Sequence, residues 1–232
     1  GTGVNCDPNF AKLACDDLQQ QDQIPWQAAP IPALYMSSQD HTLAMASALK
    51  GLAVTLLKIA NDLRWMNSGP VAGLQEISLT ALQPGSSIMP GKVNPVIPEA
   101  VAMIAAEVIG NETTITIAAQ SGNFQLNVML PLIADKLLSS IDLLTHACQA
   151  MTDKVFAEFK PNAEHLTQAL EKNPILATAL NSVVGYDMAA KIAKRADKEH
   201  KSVLAIALEE TDLDEDKLQA ILDPLHLAKP NE

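Results

Sequence analysis

The amino-acid sequence predicts an all-α fold, in which a bundle of long helices is followed by a small helical domain. Apolar residues recur at three- and four-residue spacings over long stretches, which is the spacing of one face of an α-helix. Hydrophobic residues make up 48% of the chain but aromatic residues only 3%, so we expect cores of leucine, alanine, isoleucine and methionine. Beyond Lys160-Pro161-Asn162 the charge density rises and the periodic segments shorten. This change indicates a domain boundary, with one domain at residues 1–160 and a second at 161–232.

The first domain is expected to consist mainly of long helices. A short amphipathic segment at 8–21 and a proline-containing loop come first. The first long helix is predicted to begin at Ser38 and to end at Met66, because Asn67-Ser68-Gly69-Pro70 is a strong stop signal. The predicted long helices cover residues 38–66, 95–119 and 127–153.

These long helices are apolar around much of their circumference, which is unusual for helices that lie on a protein surface. Two arrangements would bury them. One is a bundle that is shared between subunits, and the other is a self-contained bundle of the four-helix type.

The second domain is expected to contain shorter helices that are separated by prolines and turns. Pro161 and Pro174 mark two of the boundaries, and Gly185-Tyr186-Asp187 is expected to form a turn and a helix cap. The predicted helices cover residues 163–171, 174–182, 187–199, 202–209 and 214–222.

Charge and composition argue against several classes of partner. The formal net charge of −11 argues against nucleic acid and anionic membranes as partners, since both are polyanionic. No stretch of 18 apolar residues is free of charge, so no transmembrane helix is expected.

The metal-binding residue types show no pattern that indicates a metal or a disulfide framework. Cys6, Cys15 and Cys148 are odd in number and lack the Cys-x-x-Cys spacing, so free thiols in a reducing compartment are expected. The five histidines are scattered without the spacing of metal ligands. We therefore expect neither a metal nor another cofactor.

Residues 84–95 are the most informative segment for function, and they read Pro-Gly-Ser-Ser-Ile-Met-Pro-Gly-Lys-Val-Asn-Pro. Gly85 and Gly91 allow backbone conformations that other residues avoid, so peptide N–H groups can converge on a small anion. Lys92 supplies a positive charge, and Asn94 supplies an amide that can donate to a carboxylate. The segment therefore predicts a loop that binds a small dianion beside a serine.

Two other interpretations of this loop were weighed. A nucleotide-binding P-loop needs four residues between its glycines and a serine or threonine after its lysine. Here five residues separate Gly85 from Gly91, and Val93 follows Lys92, which argues against a P-loop. An ordinary Gly/Pro connection between two helices stays possible.

A helix is expected to begin directly after the loop. Asn94 is a good N-cap residue, and Pro95 suits the first helical position. Pro98 also fits, because the first turn contains N–H groups without an intrahelical partner. Glu99 would then lie one turn in, where it either orients a basic group from elsewhere or is simply a favourable charge near the helix N-terminus.

Residues 85–95 resemble, without interruption, the signature of the fumarase/aspartase superfamily. Over nearly its whole length the chain is similar to the C-terminal half of class II fumarate hydratases. Resemblance to fumarases is strongest at residues 58–65, 122–128 and 185–187. Residues 96–99 are similar to aspartases instead, and Val71 stands where many members have arginine after Ser-Gly-Pro.

The resemblance implies a lyase that reversibly hydrates fumarate to malate, a reaction of the tricarboxylic acid cycle. It implies that Ser86 is the catalytic base and that Glu99 is the partner of a catalytic histidine. The residues that it implies for substrate binding are Ser87, Lys92, Val93 and Asn94. It further implies a small dicarboxylate substrate, a homotetramer, and a cytoplasmic location, with a mitochondrial one also open.

The resemblance also leaves functional alternatives. Aspartate ammonia-lyase or another lyase of the superfamily is the nearest one. A non-enzymatic structural role, as in lens proteins of the superfamily, is the third, and the intact loop with Ser86, Lys92 and Asn94 argues against it. The histidine that partners Glu99 is expected upstream of Gly1, so the 232-residue chain is expected to be inactive alone.

Overall fold

The computed structural model describes residues 1–83, 88, 89 and 91–228, apart from the side chain of His226. The predicted all-α fold is confirmed. Strand pairing among the described residues is confined to two segments of two residues each and one isolated bridge. The chain divides into two compact units, made of residues 1–65 with 79–159 and of residues 66–78 with 160–232.

The first unit consists of α-helices and ends with a single-turn 3-10 helix at Phe156–Glu158. Its helices are α1 at Phe10–Asp22, α2 at Pro32–Ser37, α3 at Asp40–Met66, α4 at Val96–Ala119 and α5 at Leu130–Lys154. All three predicted long helices are present, with ends that differ by up to three residues. The loop that was expected before α3 contains α2, which begins at Pro32 because proline suits the first helical position.

Helices α4 and α5 pack against each other over much of their length. The Asn111 side chain, in the middle of α4, bonds to Ser140 in the middle of α5. Ala118 near the end of α4 shares a buried cluster with Ile133 near the start of α5. The two helices are therefore antiparallel, and Ala46 of α3 joins the same cluster.

Large apolar faces of α3 and α4 are not covered by the residues that the structure describes. By length and composition both helices could cross a membrane, with mean hydropathies of 1.6 and 1.2. Both contain charged residues, and the long core helices of bundles meet the same criteria. Only 17% of the most apolar window of α3 and 33% of that of α4 is buried. Most of this apolar surface is therefore free to contact other molecules.

The second unit has its own apolar core. Its largest fully buried side chains are Leu180, Ile192, Ile206 and Leu218. A two-stranded antiparallel ladder pairs β1 at Ile77–Ser78 with β2 at Lys160–Pro161. A 3-10 helix covers Pro174–Leu180. The α-helices are α6 at Ala163–Glu171, α7 at Asn181–Val184, α8 at Tyr186–Glu199, α9 at Val203–Glu210, α10 at Glu215–Ile221 and α11 at Pro224–Leu227.

Asn162 holds the segment 66–78 against the start of α6. Its backbone N–H donates to the Glu76 carbonyl at 2.9 Å, and its side-chain amide donates to the Gln75 carbonyl at 2.9 Å. Its side-chain oxygen accepts a hydrogen bond from the Ser78 hydroxyl at 2.8 Å. From the sequence this segment was expected in the first domain, whereas its backbone pairing groups it with the residues from Lys160 onward.

Candidate active site

The part of the signature loop that precedes α4 forms a tight turn. The backbone N–H of Lys92 donates to the Met89 carbonyl at 3.2 Å. Gly91 has a φ of +83°, in the left-handed region that favours glycine. Among the described residues, and leaving out its two chain neighbours, no heavy atom lies within 4 Å of the position that a Cβ of Gly91 would occupy. The backbone conformation is therefore what favours glycine here.

Two of the predicted site residues cannot be placed on this turn. Ser86, the predicted base, and Ser87, a predicted substrate contact, lie outside the described residues, together with Pro84, Gly85 and Pro90. Their roles stay predictions.

The structure brings Lys92, Val93 and Asn94 together directly before α4. Lys92 is exposed, the exposed fraction of Val93 is 40%, and Asn94 is half-buried. Neither the Lys92 ammonium nor the Asn94 side-chain amide has a hydrogen bond to any described residue. Both groups are thus available to a ligand with a negative charge.

The expected capping of α4 by Asn94 is wrong. Pro95 occupies the N-cap position with φ −77° and ψ 68°, and the helix begins at Val96. This ψ lies outside the helical range, so Asn94 is one residue too far from the helix for its side chain to cap it. The Asn94 carbonyl instead accepts a hydrogen bond from the Val96 N–H at 2.9 Å.

The first turn of α4 offers fewer free N–H groups than a helix N-terminus usually does. The N–H groups of Val96 and Glu99 donate to nearby carbonyls, and Pro98 has no N–H group. Within the part of the chain that the structure describes, this leaves the Ile97 N–H as the first-turn donor without a partner. The helix therefore offers mainly its positive dipole end, and an anion bound here would depend on Lys92 and Asn94 for most of its direct contacts.

Glu99 lies in the first turn of α4 and is half-buried. Its carboxylate makes no ion pair with any residue that the structure describes. This placement is compatible with both interpretations of Glu99, as a favourable charge at the helix N-terminus and as a group that orients a base from another segment.

Metal-binding side chains do not cluster in the part of the chain that the structure describes. Across residues 1–83, 88, 89 and 91–228, no group of three or more histidine, cysteine, aspartate or glutamate side chains could hold a metal ion. Cys6 and Cys148 are exposed, Cys15 is partly buried, and all three are free thiols.

The sequence analysis overlooked two buried polar residues in the middle of α4. Asn111 and Glu112 are 4% and 7% exposed and bond to neighbouring helices. Two adjacent polar residues inside a long apolar run were the available signal. The helix was predicted to be apolar around much of its circumference, and these two residues were not distinguished from its polar remainder.

Comparison with known proteins identifies the family. A family profile described as "Lyase" matches residues 1–110, and one described as "Fumarase C C-terminus" matches residues 176–229. Fumarate hydratase class II 2 of Pseudomonas aeruginosa is 55% identical over 97% of this chain and 49% of its own length. The chain thus spans about half the length of the curated relatives that it matches.

Solved structures agree with this match. A fumarate lyase:delta crystallin from Brucella melitensis, bound to cobalt, superposes with a TM-score of 0.92 at 43% identity, covering 99% of this chain and 50% of that one. A class II fumarase from Schistosoma mansoni superposes with a TM-score of 0.88 at 32% identity, covering 100% and 52%. The chain therefore belongs to the class II fumarate hydratase family of the fumarase/aspartase superfamily and matches the C-terminal half of its members.

Proposed function

We propose that this chain supplies the carboxylate-binding part of an active site that reversibly hydrates fumarate to malate. The observation that supports this most directly is the pair of unengaged groups on Lys92 and Asn94, which lie on the Gly91 turn at the N-terminus of a 24-residue helix. The identity of 55% to a curated fumarate hydratase supports the same reaction.

The chemistry needs such a group of donors. Hydration adds a proton and a hydroxide across a double bond that two carboxylates flank. In the reverse direction a base removes the proton next to one carboxylate, which then becomes an aci-carboxylate with an additional negative charge. Donors that are already in place where this charge develops lower the barrier. Lys92 provides a positive charge and Asn94 a neutral N–H donor for this purpose.

The remaining roles follow the family resemblance. Ser86 acts as the base in its alkoxide form, which becomes accessible only where positive charge and hydrogen-bond donors stabilise the oxyanion. Ser87 and Val93 contact the substrate. Glu99 orients a histidine from another segment, and its unengaged carboxylate supports this role.

Assembly of several copies is part of the proposal. Most of the apolar windows of α3 and α4 is not buried, and large exposed apolar patches are typical of association surfaces. A homotetramer in which α3, α4 and α5 of several copies pack together would bury them. Sedimentation that showed a compact, stable monomer without affinity for hydrophobic dyes would argue against this assembly.

The activity is testable in a fusion that restores the full family length. The 232-residue chain is joined to the part of the Pseudomonas aeruginosa relative that it does not match, and fumarate absorbance is followed. We expect hydration by the fusion and none by the chain alone. Ser86→Ala should reduce kcat by about 10²–10⁴-fold, the usual contribution of an acid–base group.

Lys92→Ala tests carboxylate binding, and Lys172→Ala is its matched control. We expect Lys92→Ala to raise KM and to lower kcat, because its charge acts on both the bound substrate and the transition state. Lys172 is also exposed and unpaired within the described part of the chain, so its loss should change neither. A folded fusion in which the two variants behave alike would refute the proposed role of Lys92.

A requirement for ammonium would distinguish an aspartate ammonia-lyase from a fumarate hydratase. This alternative stays open because residues 96–99 resemble the aspartase pattern. If the fusion required ammonium and formed aspartate, the chain would contribute to an aspartate ammonia-lyase, and the role of Ser86 would stand.

A further inference from the structure

The middle of α4 contains two adjacent buried polar residues, Asn111 and Glu112, which are 4% and 7% exposed. Val108 and Ile115, on either side of them, are also buried. Burying an amide or a carboxylate is unfavourable unless its hydrogen bonds are made inside the protein. The hydrogen-bond partners of Asn111 and Glu112 therefore indicate the role of these two side chains.

Asn111 bonds to α5. Its side-chain amide donates to the Ser140 hydroxyl at 3.2 Å, and this hydroxyl donates to the Lys136 carbonyl at 2.7 Å. Ser140 is 3% exposed. The amide thus reaches the α5 backbone through one buried hydroxyl, which confines the contact to one position along α5.

Glu112 bonds to α3. Its carboxylate accepts hydrogen bonds from the Lys50 ammonium at 2.6 Å and from the Ser47 hydroxyl at 3.2 Å. Thr116, on α4 itself, adds a third hydrogen bond at 3.4 Å. Hydrogen bonding from Lys50 lowers the pKa of Glu112, against the opposing effect of its burial. The carboxylate is therefore charged and bound in one geometry.

Asn111 and Glu112 are adjacent on α4, but the first bonds to α5 and the second to α3. Sliding α3 or α5 along α4 by one helical turn, about 5.4 Å, would separate the polar partners and leave buried groups unsatisfied. The surrounding alanine, leucine, isoleucine and valine side chains resist such a slide much less, because apolar contacts are not directional. Buried polar groups that fix register in this way are known from coiled coils.

We propose that Lys50, Asn111, Glu112 and Ser140 form a register cluster, which selects one alignment of α3 and α5 on α4. Its main contribution is to the uniqueness of the packing and not to the free energy of unfolding. The need for such a cluster is large, since contacts between apolar helix faces are not directional and α3 and α4 contain windows with mean hydropathies of 1.6 and 1.2.

The test replaces each polar pair by apolar residues of similar size in the complete chain. The two variants are Lys50→Met/Glu112→Leu and Asn111→Leu/Ser140→Ala. The matched control is Lys58→Met/Asp62→Leu, which removes an ion pair that is exposed and lies within α3 alone. Far-UV and near-UV circular dichroism, ANS fluorescence and methyl NMR spectra are recorded for each protein.

We expect both register variants to keep the far-UV signal while the near-UV signal falls, ANS fluorescence rises several-fold and methyl resonances multiply or broaden. These are the signs of helices without unique packing. The control should match the parent in all four measurements. Register variants with the near-UV signal, ANS fluorescence and single methyl resonances of the parent would overturn the proposal.

The single variant Lys50→Met covers the case in which a double variant unfolds. It leaves the Glu112 charge buried without its main partner, so we expect its midpoint of urea unfolding to lie below that of Lys50→Met/Glu112→Leu. If the double variant were the less stable of the two, the cluster would act through stability, and its role in register selection would be refuted.

Discussion

Asn127 is the residue whose loss should show most directly how α4 and α5 are joined. It is 1% exposed. Its side-chain amide donates to the carbonyls of Ala118 at 3.0 Å and Ala119 at 3.2 Å, which are the last residues of α4. Its side-chain oxygen accepts from the Met129 N–H at 2.8 Å, directly before α5. One side chain therefore satisfies backbone groups at the end of one helix and the start of the next.

Asn127→Ala should lower the free energy of unfolding by about 2–4 kcal/mol. It removes three hydrogen bonds worth about 0.5–1.5 kcal/mol each and leaves backbone groups in a site that water reaches poorly. For a chain of this length, 1 kcal/mol corresponds to about 2–4 °C, so the melting temperature should fall by about 4–16 °C. Thermal and urea unfolding, followed by far-UV circular dichroism, measure the change.

Two further substitutions test whether the amide donors of Asn127 cause this loss of unfolding free energy. Asn127→Asp keeps the acceptor for Met129 but places an oxygen against the two α4 carbonyls, so it should be at least as destabilising as Asn127→Ala. Asn123→Ala removes an exposed hydrogen bond in the same loop and should change stability by less than about 0.5 kcal/mol. An aspartate variant as stable as the parent would refute the role of the amide donors.

Other substitutions probe the rest of the chain. Gly73→Ala would place its Cβ 2.2 Å from the Ser68 carbonyl carbon, and the backbone shift should cost about 1–3 kcal/mol in urea unfolding. Gly110→Ala meets no atom within 4 Å and should raise the helix stability by up to about 1 kcal/mol, as thermal unfolding would show. Arg195 forms ion pairs with Glu199, Glu209 and Glu210. The pKa of Glu199 is lowered mainly by its hydrogen bond from Arg195, and the pKa values of Glu209 and Glu210 are lowered mainly by hydrogen bonds from Lys201 and Lys191, with Arg195 adding to both. The stabilisation that accompanies these lowered pKa values is present at neutral pH and is lost as the pH falls below about 4.5. The melting temperature of Arg195→Met should accordingly fall less between about pH 5 and about pH 3 than that of the parent. Lys92→Ala should leave the melting temperature unchanged, since no described residue pairs with this ammonium.

The long helices could be predicted from sequence because their apolar periodicity extends over many turns. α3 ends at Met66 as predicted, since Asn67-Ser68-Gly69-Pro70 excludes further helix. The pairing of β1 with β2 could not be predicted, because strands of two residues have no periodic pattern. It depends instead on Asn162, whose contacts with residues 75–78 lie more than 80 positions apart in sequence.

The candidate site was predictable in content but not in detail. The glycine, lysine and asparagine of the loop predicted a turn before a helix, and Gly91 and Lys92 form one. The cap was missed by one residue, because the ψ of 68° at Pro95 is a conformational choice that residue types alone do not determine. That difference matters for function, since a capping Asn94 would have had less capacity left for a substrate.

Lys50 and Lys92 differ in their partners, and this difference supports the proposed structural role of one and the proposed binding role of the other. Lys50 is bound to a carboxylate that is itself nearly buried, so its charge is neutralised and its position is fixed. Lys92 has no partner among the described residues, although the chain has 27 acidic and 16 basic side chains. An ion pair at Lys92 would compete with any bound carboxylate. A chain with an excess of negative charge can attract a dianion only where a cation is left unneutralised. The lack of a partner for Lys92 among the described residues, and not the lysine alone, therefore supports its proposed role in binding a dicarboxylate.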